Sequence, residues 1–528
     1  MKRTNILWIV VLILGWLFDF LFWKHAQGIN FAIYAGLCLG GGFLVLGMNG
    51  IKPSWKSLLL LVPILFFAIM TFIRQEPLSL FLAYAFTLAL MGVLAASYLG
   101  GRWPWYSLSD YVVNYGKLIG SMIAHPLMFL NESRKSVPVE AAPVSRSGWK
   151  RFWAIFRGVL IAIPIVVIFA AFLSSADLVF AQRVQDFVKL FRLENLPQYI
   201  FRLIYILICA YALAGIFLHA ARKSMDEKLA GMDKPLVPPF LGFTEAAVVL
   251  GAVVVLFALF AVVQFQYFFG GQTNIGVQGY TYAEYARRGF GELVAVAFFS
   301  LLLFLSLSAV VKRQNQTQRW VFSGLGLGMV ALVGVMLLSA FQRLMLYEAA
   351  YGFSRLRAYT HVFMIWLGLL LTVVVVLDIL RKERTFALAA LLVSIGFATT
   401  LTLLNVDGFI VRQNVARATA GESLDVAYLA SLSADSVPAL VADFQNQSLP
   451  GVTRDAVGAA LVCREHINSG SKDQNWRSFT LSGGWAYQAL RQVQSSLDAY
   501  QILDNDGSAK VVTPGSVTYE CYQAGMGD

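Results

Sequence analysis

Cysteine is scarce in this chain, with four in 528 residues. That excludes a disulfide-stapled scaffold, and no C-x-x-C occurs to build a redox centre or a zinc knuckle. Histidine is almost as scarce, with five residues scattered at 25, 125, 219, 361 and 466. There is no H-E-x-x-H zinc pair, no G-x-x-x-x-G-K-[ST] phosphate loop and no G-x-S-x-G elbow. An ATPase, a zinc protease, a kinase or a redox enzyme finds no support in these residues. No cofactor is implied and no metal-ligand set stands out. Charge is sparse too, at 13% of residues.

Apolar side chains are abundant. They make up 58% of the chain, against roughly 45–50% in soluble domains. A bilayer core takes about 20 apolar residues per helical crossing. Runs of that length fall near 6–23, 30–48, 58–73, 78–98, 154–173, 200–220, 244–268, 290–311, 320–340, 360–380 and 386–404. They predict eleven crossings, so the fold class is all-α: a polytopic transmembrane helical bundle over residues 1–404. The first run follows Lys2 and Arg3. It is long for a secretory signal, and Gln27-Gly28 is a poor cleavage site, so it reads as a retained signal anchor. Two further stretches, near 111–130 and 177–192, are amphipathic. Asn114, Lys117, Ser121 and His125 share one face of the first. In the second, Phe180, Val184 and Phe187 oppose Arg183, Asp186 and Lys189. Both read as interfacial helices.

The composition breaks near Asn405. Residues 405–528 hold 8 Lys/Arg and 13 Asp/Glu, while the remainder is net +16. The basic excess follows the loops. The N-terminus and every second loop carry 21 Lys/Arg, against 10 in the opposite short loops. This is the pattern that orients membrane helices, and it does not call for a nucleic acid partner. It predicts a cytoplasmic N-terminus and, after an odd number of crossings, an extracytoplasmic C-terminal domain. That domain reads as small, soluble and mostly helical. Helices are expected over Leu424–Leu432, Val437–Phe444, Asp455–Ile467 and Trp485–Tyr500, with Ser433 and Thr453 as N-caps. Alternation around Pro514-Gly515 suggests a terminal hairpin. Cys463 and Cys521 are the only cysteines in the tail. A disulfide between them fits an oxidising compartment and would contribute about 4 kcal/mol by closing its loop.

Charged and tyrosine side chains concentrate at the helix ends on the predicted outer face. Glu284, Arg288 and Glu292 are spaced i, i+4, i+8, with Tyr285 nearby. Arg343, Tyr347, Glu348, Tyr351, Arg355, Arg357 and Tyr359 follow the ninth crossing, and Asp407 and Arg412 follow the last. Arginine grips phosphate and carboxylate bidentately. Tyr285, Arg288, Glu292, Arg343, Glu348 and Arg355 are therefore candidate ligand-binding residues for an anionic or lipid-linked ligand. The same residue types also form interfacial tyrosine belts and ion pairs that tie loops together.

Several strings resemble an uncharacterised domain-of-unknown-function family of bacterial multi-pass integral membrane proteins. They are "SADLVFAQ" at 175–182, "TYAEYARRGFGEL" at 281–293, "RLMLYEAAYGFSRLRAY" at 343–359 and "NVDGFIVRQNVARA" at 405–418. "LDVAYLASLSADSVPAL" at 424–440 and "WRSFTLSGGWAYQAL" at 476–490 extend the match to roughly 150–490. The resemblance implies a bacterial cytoplasmic (inner) membrane and carries no activity. With no catalytic motif, the favoured reading is an envelope binding or scaffold protein. Its partners would be the lipid bilayer and an outer-face ligand or envelope protein. A transporter or lipid-translocating protein, and a membrane enzyme acting on a lipid-linked substrate, are the alternatives.

Overall fold

The structure, a computed structural model, describes residues 3–135, 157–158, 162, 166, 168–170, 172–177, 180, 182–183, 196–225, 229, 238–269, 290–468, 475–505 and 508–522. The chain forms two compact units. One combines Met1–Phe20 with Leu118–His219, and the other Leu21–Lys117 with Ala220–Asp528.

The first helices are α1 (Thr4–Phe22), α2 (Ile29–Met48), α3 (Trp55–Leu58), α4 (Leu61–Ile73), α5 (Pro77–Ala96) and α6 (Leu108–Lys135). Then come α7 (Leu196–Arg222), α8 (Phe243–Phe269), α9 (Phe290–Val310), α10 (Gln316–Tyr351), α11 (Arg355–Ile379) and α12 (Phe386–Leu404). Among the described residues, ten spans are long and apolar enough to cross a membrane, α3 and α4 forming one of them. They match ten of the eleven expected crossings. The other, 154–173, is described only in part and is not among these spans. Large apolar side chains such as Val62, Leu259 and Ile365 face outward. In lipid that outward face is stable, and the helix satisfies its own backbone hydrogen bonds.

Proline marks a local break. Pro63 sits in the first turn of α4 and has no N–H to donate to the turn before it. The chain therefore restarts between α3 and α4, with Leu60 N–H donating to the Ser57 carbonyl at 3.1 Å.

Within the first unit, α1 and α7 are joined by an ion pair whose carboxylate, Asp19, is buried. Arg202 donates through Nε to Asp19 Oδ1 at 2.9 Å and through Nη2 to Oδ2 at 2.5 Å. Ser121 of α6 bonds His219 of α7 at 2.8 Å. Asn114 and Ser121 are buried, whereas Val112, Ile119 and Ile123 are exposed. Asn114 and Ser121 of the polar stripe are thus turned inward, while Lys117 of the same stripe stays exposed. α6 is not apolar enough to count as a span. Most of the stretch 177–192 lies outside the described residues.

In the second unit, α8, α9 and α10 share a core that includes Leu250, Phe304, Phe322 and Met329. Past α12 come α13 (Val406–Thr419), α14 (Val426–Ser431), α15 (Val437–Gln445), α16 (Gly451–Asn468) and α17 (Leu481–Leu497). α16 starts at Gly451, so Thr453 lies inside the helix and does not cap it. Three strands close the chain: β1 (Gln501–Asn505), β2 (Ser508–Val512) and β3 (Thr518–Glu520). They pair antiparallel in that order, with Leu503 opposite Lys510 and Val511 opposite Tyr519. β2 and β3 flank Pro514-Gly515, and β1 adds a third strand beyond the expected hairpin. Cys463 of α16 is bonded to Cys521, which follows β3. Among the described residues, the apolar core of the tail is continuous with that of the neighbouring bundle helices. Ala358 and Val362 of α11 and Leu401 of α12 lie in one apolar cluster with Val406, Val437, Val457 and Leu461.

Candidate functional site at the junction of bundle and tail

Asn405 begins the junction. It ends α12 and opens α13 in a left-handed conformation, φ +50°, which asparagine tolerates better than most residues. Its Oδ1 accepts from Gly408 N–H at 3.1 Å, capping α13, and its Nδ2 donates to the Asp435 carbonyl at 3.2 Å. One residue type in one conformation therefore turns the chain and touches the tail.

Two residues on, Asp407 is fully buried. Arg355, at the start of α11, donates to it through Nε at 2.8 Å and Nη2 at 2.7 Å. The same carboxylate accepts from Ser433 N–H at 2.7 Å. A bidentate guanidinium is the strongest partner a buried carboxylate can have. Here it is shared with the backbone of the tail. Arg355 N–H also donates to the Tyr428 hydroxyl at 2.9 Å.

Glu76 precedes Pro77 and caps α5. Its carboxylate accepts from Leu78 and Ser79 N–H, both at 2.8 Å, and from the Tyr359 hydroxyl. Asp435 of the tail accepts from Gln75 N–H at 2.7 Å and Glu76 N–H at 2.9 Å. Arg74 donates to the Thr402 carbonyl at 2.9 Å, and Gln75 Nε2 to Thr480 Oγ1 at 2.6 Å. Arg464 donates to the carbonyls of Leu432 and Ala430. Three buried carboxylates, Glu76, Asp407 and Asp435, thus meet three guanidinium groups. Burial pushes the Glu76 carboxyl above its ordinary value, and the neighbouring Asp407 charge adds to the rise. Burial pulls the Arg464 guanidinium down to about 10, which leaves it charged at neutral pH.

The tail also holds two other loops. Asn414 of α13 accepts from Phe353 N–H at 2.7 Å and donates to its carbonyl at 2.9 Å. Arg417 donates to the carbonyls of Ala349 and Ala350 at the end of α10. The turn between α10 and α11 needs Gly352, at φ +79°, because a Cβ there would come 2.7 Å from Asn414 Oδ1. On the other side, Ile29 N–H donates to the Phe479 carbonyl at 2.9 Å.

Beside this network lies a cleft of about 300 Å³. Arg74, Asn405 and Asp435 form one wall, and Ser482, Trp485, Gln488 and Gln492 of α17 form the other. Asp435 Oδ1 and Ser482 Oγ are buried and have no hydrogen-bond partner among the described residues. Arg74 Nη1 stands 3.6 Å from that oxygen, close enough for charge but too far for a hydrogen bond. Trp485 is 47% exposed. The cleft offers an acceptor, a hydroxyl, two amides and an aromatic edge, which together can bind a small polar molecule.

The sequence-predicted site residues have separate fates. Arg355 is consumed by Asp407. Glu348 is buried and bonds His361 at 2.9 Å. Arg343 donates to Gln264 of α8 at 3.1 Å. Glu292 is exposed in the first turn of α9. Tyr285 and Arg288 lie outside the described residues. Sequence reasoning missed Asp435, Glu76 and the α17 face. The one local signal for Glu76 was an acid directly before a helix-opening proline.

Among the described residues, no group of three or more His, Cys, Asp or Glu could hold a metal ion. A search of curated proteins and a search of solved structures each returned no match. A family match runs from the start of α4 into α15 and includes every carboxylate of the network, while α17 lies beyond it. It begins and ends earlier than the resemblance in the sequence suggested. The chain belongs to the family described as Domain of unknown function (DUF4153), whose sequence model matches residues 61–442.

Proposed function

We propose that this integral membrane protein is an envelope binding or scaffold protein of a bacterial inner membrane, whose docked tail holds a polar cleft on the outer face. One observation carries the reading. The Asp407 carboxylate grips Arg355 of the bundle and Ser433 N–H of the tail at once. The polar side chains at these helix ends serve docking, and the cleft beside them is the polar surface left open to a ligand.

Loop parity supports the orientation. The tail bonds Ile29, Gln75, Phe353 and Arg355, which belong to loops that alternate with the basic ones. Seven described spans separate the loop at 24–29 from the turn at 352–354. The expected crossing at 154–173, which is described only in part, would make the number even, as two loops on one face require. The Cys463–Cys521 disulfide suits an oxidising outer compartment.

The test is to purify the full chain in native lipid particles, as wild type and as Trp485→Ala, and identify bound small molecules by mass spectrometry. A polar ligand enriched with wild type and lost from the variant is expected. Identical small-molecule content in both would refute the binding role.

A further inference from the structure

At the opposite ends of the helices lies a larger cavity, of about 670 Å³. It is lined by the end of α9, the start of α10 and the end of α11. A short parallel bridge between Leu241 and Val311 pins the chain there, with Lys312 N–H donating to the Leu241 carbonyl at 2.9 Å. Five cations line the cavity: Lys312, Arg313, Arg319, Arg381 and Arg384. Asp378 is the one carboxylate among the lining residues, and it is already engaged. It accepts from Arg313 Nη1 at 2.9 Å and from the Ser323 hydroxyl at 2.5 Å. Arg384 pairs with Asp110 at 3.5 Å. Among the described residues, Lys312, Arg319 and Arg381 have no carboxylate partner. Arg381 bonds only the neutral amide of Gln316, at 2.6 Å.

The placement of Arg381 is a second, independent observation. It follows α11 at φ +58°, in a turn where Lys382 N–H donates to the Leu377 carbonyl and Arg381 N–H to the Asp378 carbonyl. That left-handed position is the one glycine usually fills at a helix end. An arginine there sets a cation on the cavity wall at a backbone cost that glycine would avoid. Exposed Trp320 also lines the cavity, as an amphipathic ring does at headgroup depth.

We propose that this cavity binds a phosphate group, carried by an anionic phospholipid headgroup or by a free phosphate, with Lys312, Arg319 and Arg381 as its charge partners. Three cations without carboxylates, converging on a cavity at helix ends on the basic face, match the chemistry by which membrane proteins hold acidic headgroups.

The test uses the full chain in phosphatidylcholine nanodiscs. Melting and native mass spectra are compared after adding phosphatidylglycerol, more phosphatidylcholine, or inorganic phosphate. Stabilisation and stoichiometric retention with phosphatidylglycerol alone assign the lipid source, and stabilisation by inorganic phosphate alone assigns the free one. Each of Lys312→Gln, Arg319→Gln and Arg381→Gly should weaken binding about fivefold, and the triple variant about a hundredfold. Arg381→Gly keeps the favoured turn residue, so it should melt in phosphatidylcholine no lower than wild type. Equal response to all three additions, or a triple variant that binds like wild type, would overturn the proposal.

Discussion

Asp407→Asn tests the junction most sharply. The substitution keeps shape and removes the charge that holds Arg355. Two charge-assisted hydrogen bonds, at 2.8 and 2.7 Å, lose their anionic acceptor, and Arg355 is left without its counter-charge. Such bonds contribute about 1.5–3 kcal/mol each, and breaking a buried pair costs about 3–5 kcal/mol. Because Ser433 N–H shares the carboxylate, the loss should fall on the contact between tail and bundle. Hydrogen exchange read by mass spectrometry reports local opening directly. Amides of α14 and α15 should exchange at least roughly a hundredfold faster, from about 1.4 kcal/mol per tenfold. Amides in the middle of α10 should not change. Arg355→Met with Asp407→Asn should recover part of the loss, since no buried charge is then left unpaired. Unchanged exchange in α14 and α15 in the single variant would refute the docking role of the network.

Three further outcomes follow from the same geometry. Cys463→Ser opens a cross-link between residues 58 apart in sequence and should lower tail stability by about 4 kcal/mol; dithiothreitol should reproduce this in wild type and add nothing in the variant, as read by melting. Glu76 has a raised folded-state value, so the folded chain holds its proton more tightly than the unfolded one. Its contribution to stability should grow as pH falls through that value and level off below the ordinary value of 4.5; Glu76→Gln should flatten this part of a melting-versus-pH curve, and an unchanged slope would count against the assignment. Gly352→Ala forces a side chain into a left-handed backbone at φ +79° and against Asn414; a loss of about 1–2 kcal/mol should appear in thermal melts, and wild-type melting would contradict it.

The spans were legible because a bilayer imposes a length of apolar sequence that loops do not match. Their ends were less so. α10 runs 36 residues, well past the expected 320–340, because Gln342, Arg343 and Glu348 interrupt the apolar run without ending the helix, whose last carbonyls accept from Arg417 of α13. Arg343, Glu348 and Arg355 were found as a group of unusual residues, yet each has its own partner. Tertiary partners such as Gln264, His361 and Asp407 leave no periodic mark on the chain. Asp435 and Glu76 illustrate the limit: 359 residues separate them, and one hydrogen bond joins them. The cleft was hidden for a similar reason. Trp485, Gln488 and Gln492 read only as one side of an amphipathic helix until α17 packs against α15 and the end of α4.

Impermeant maleimide labelling of single cysteines in intact cells asks directly whether the docked tail and its cleft face outward. Trp485 and Arg319 are both exposed, on opposite ends of the helices. Trp485→Cys should label in intact cells, and Arg319→Cys only after lysis. Labelling of Arg319→Cys in intact cells, with Trp485→Cys protected until lysis, would contradict the orientation on which the binding role rests.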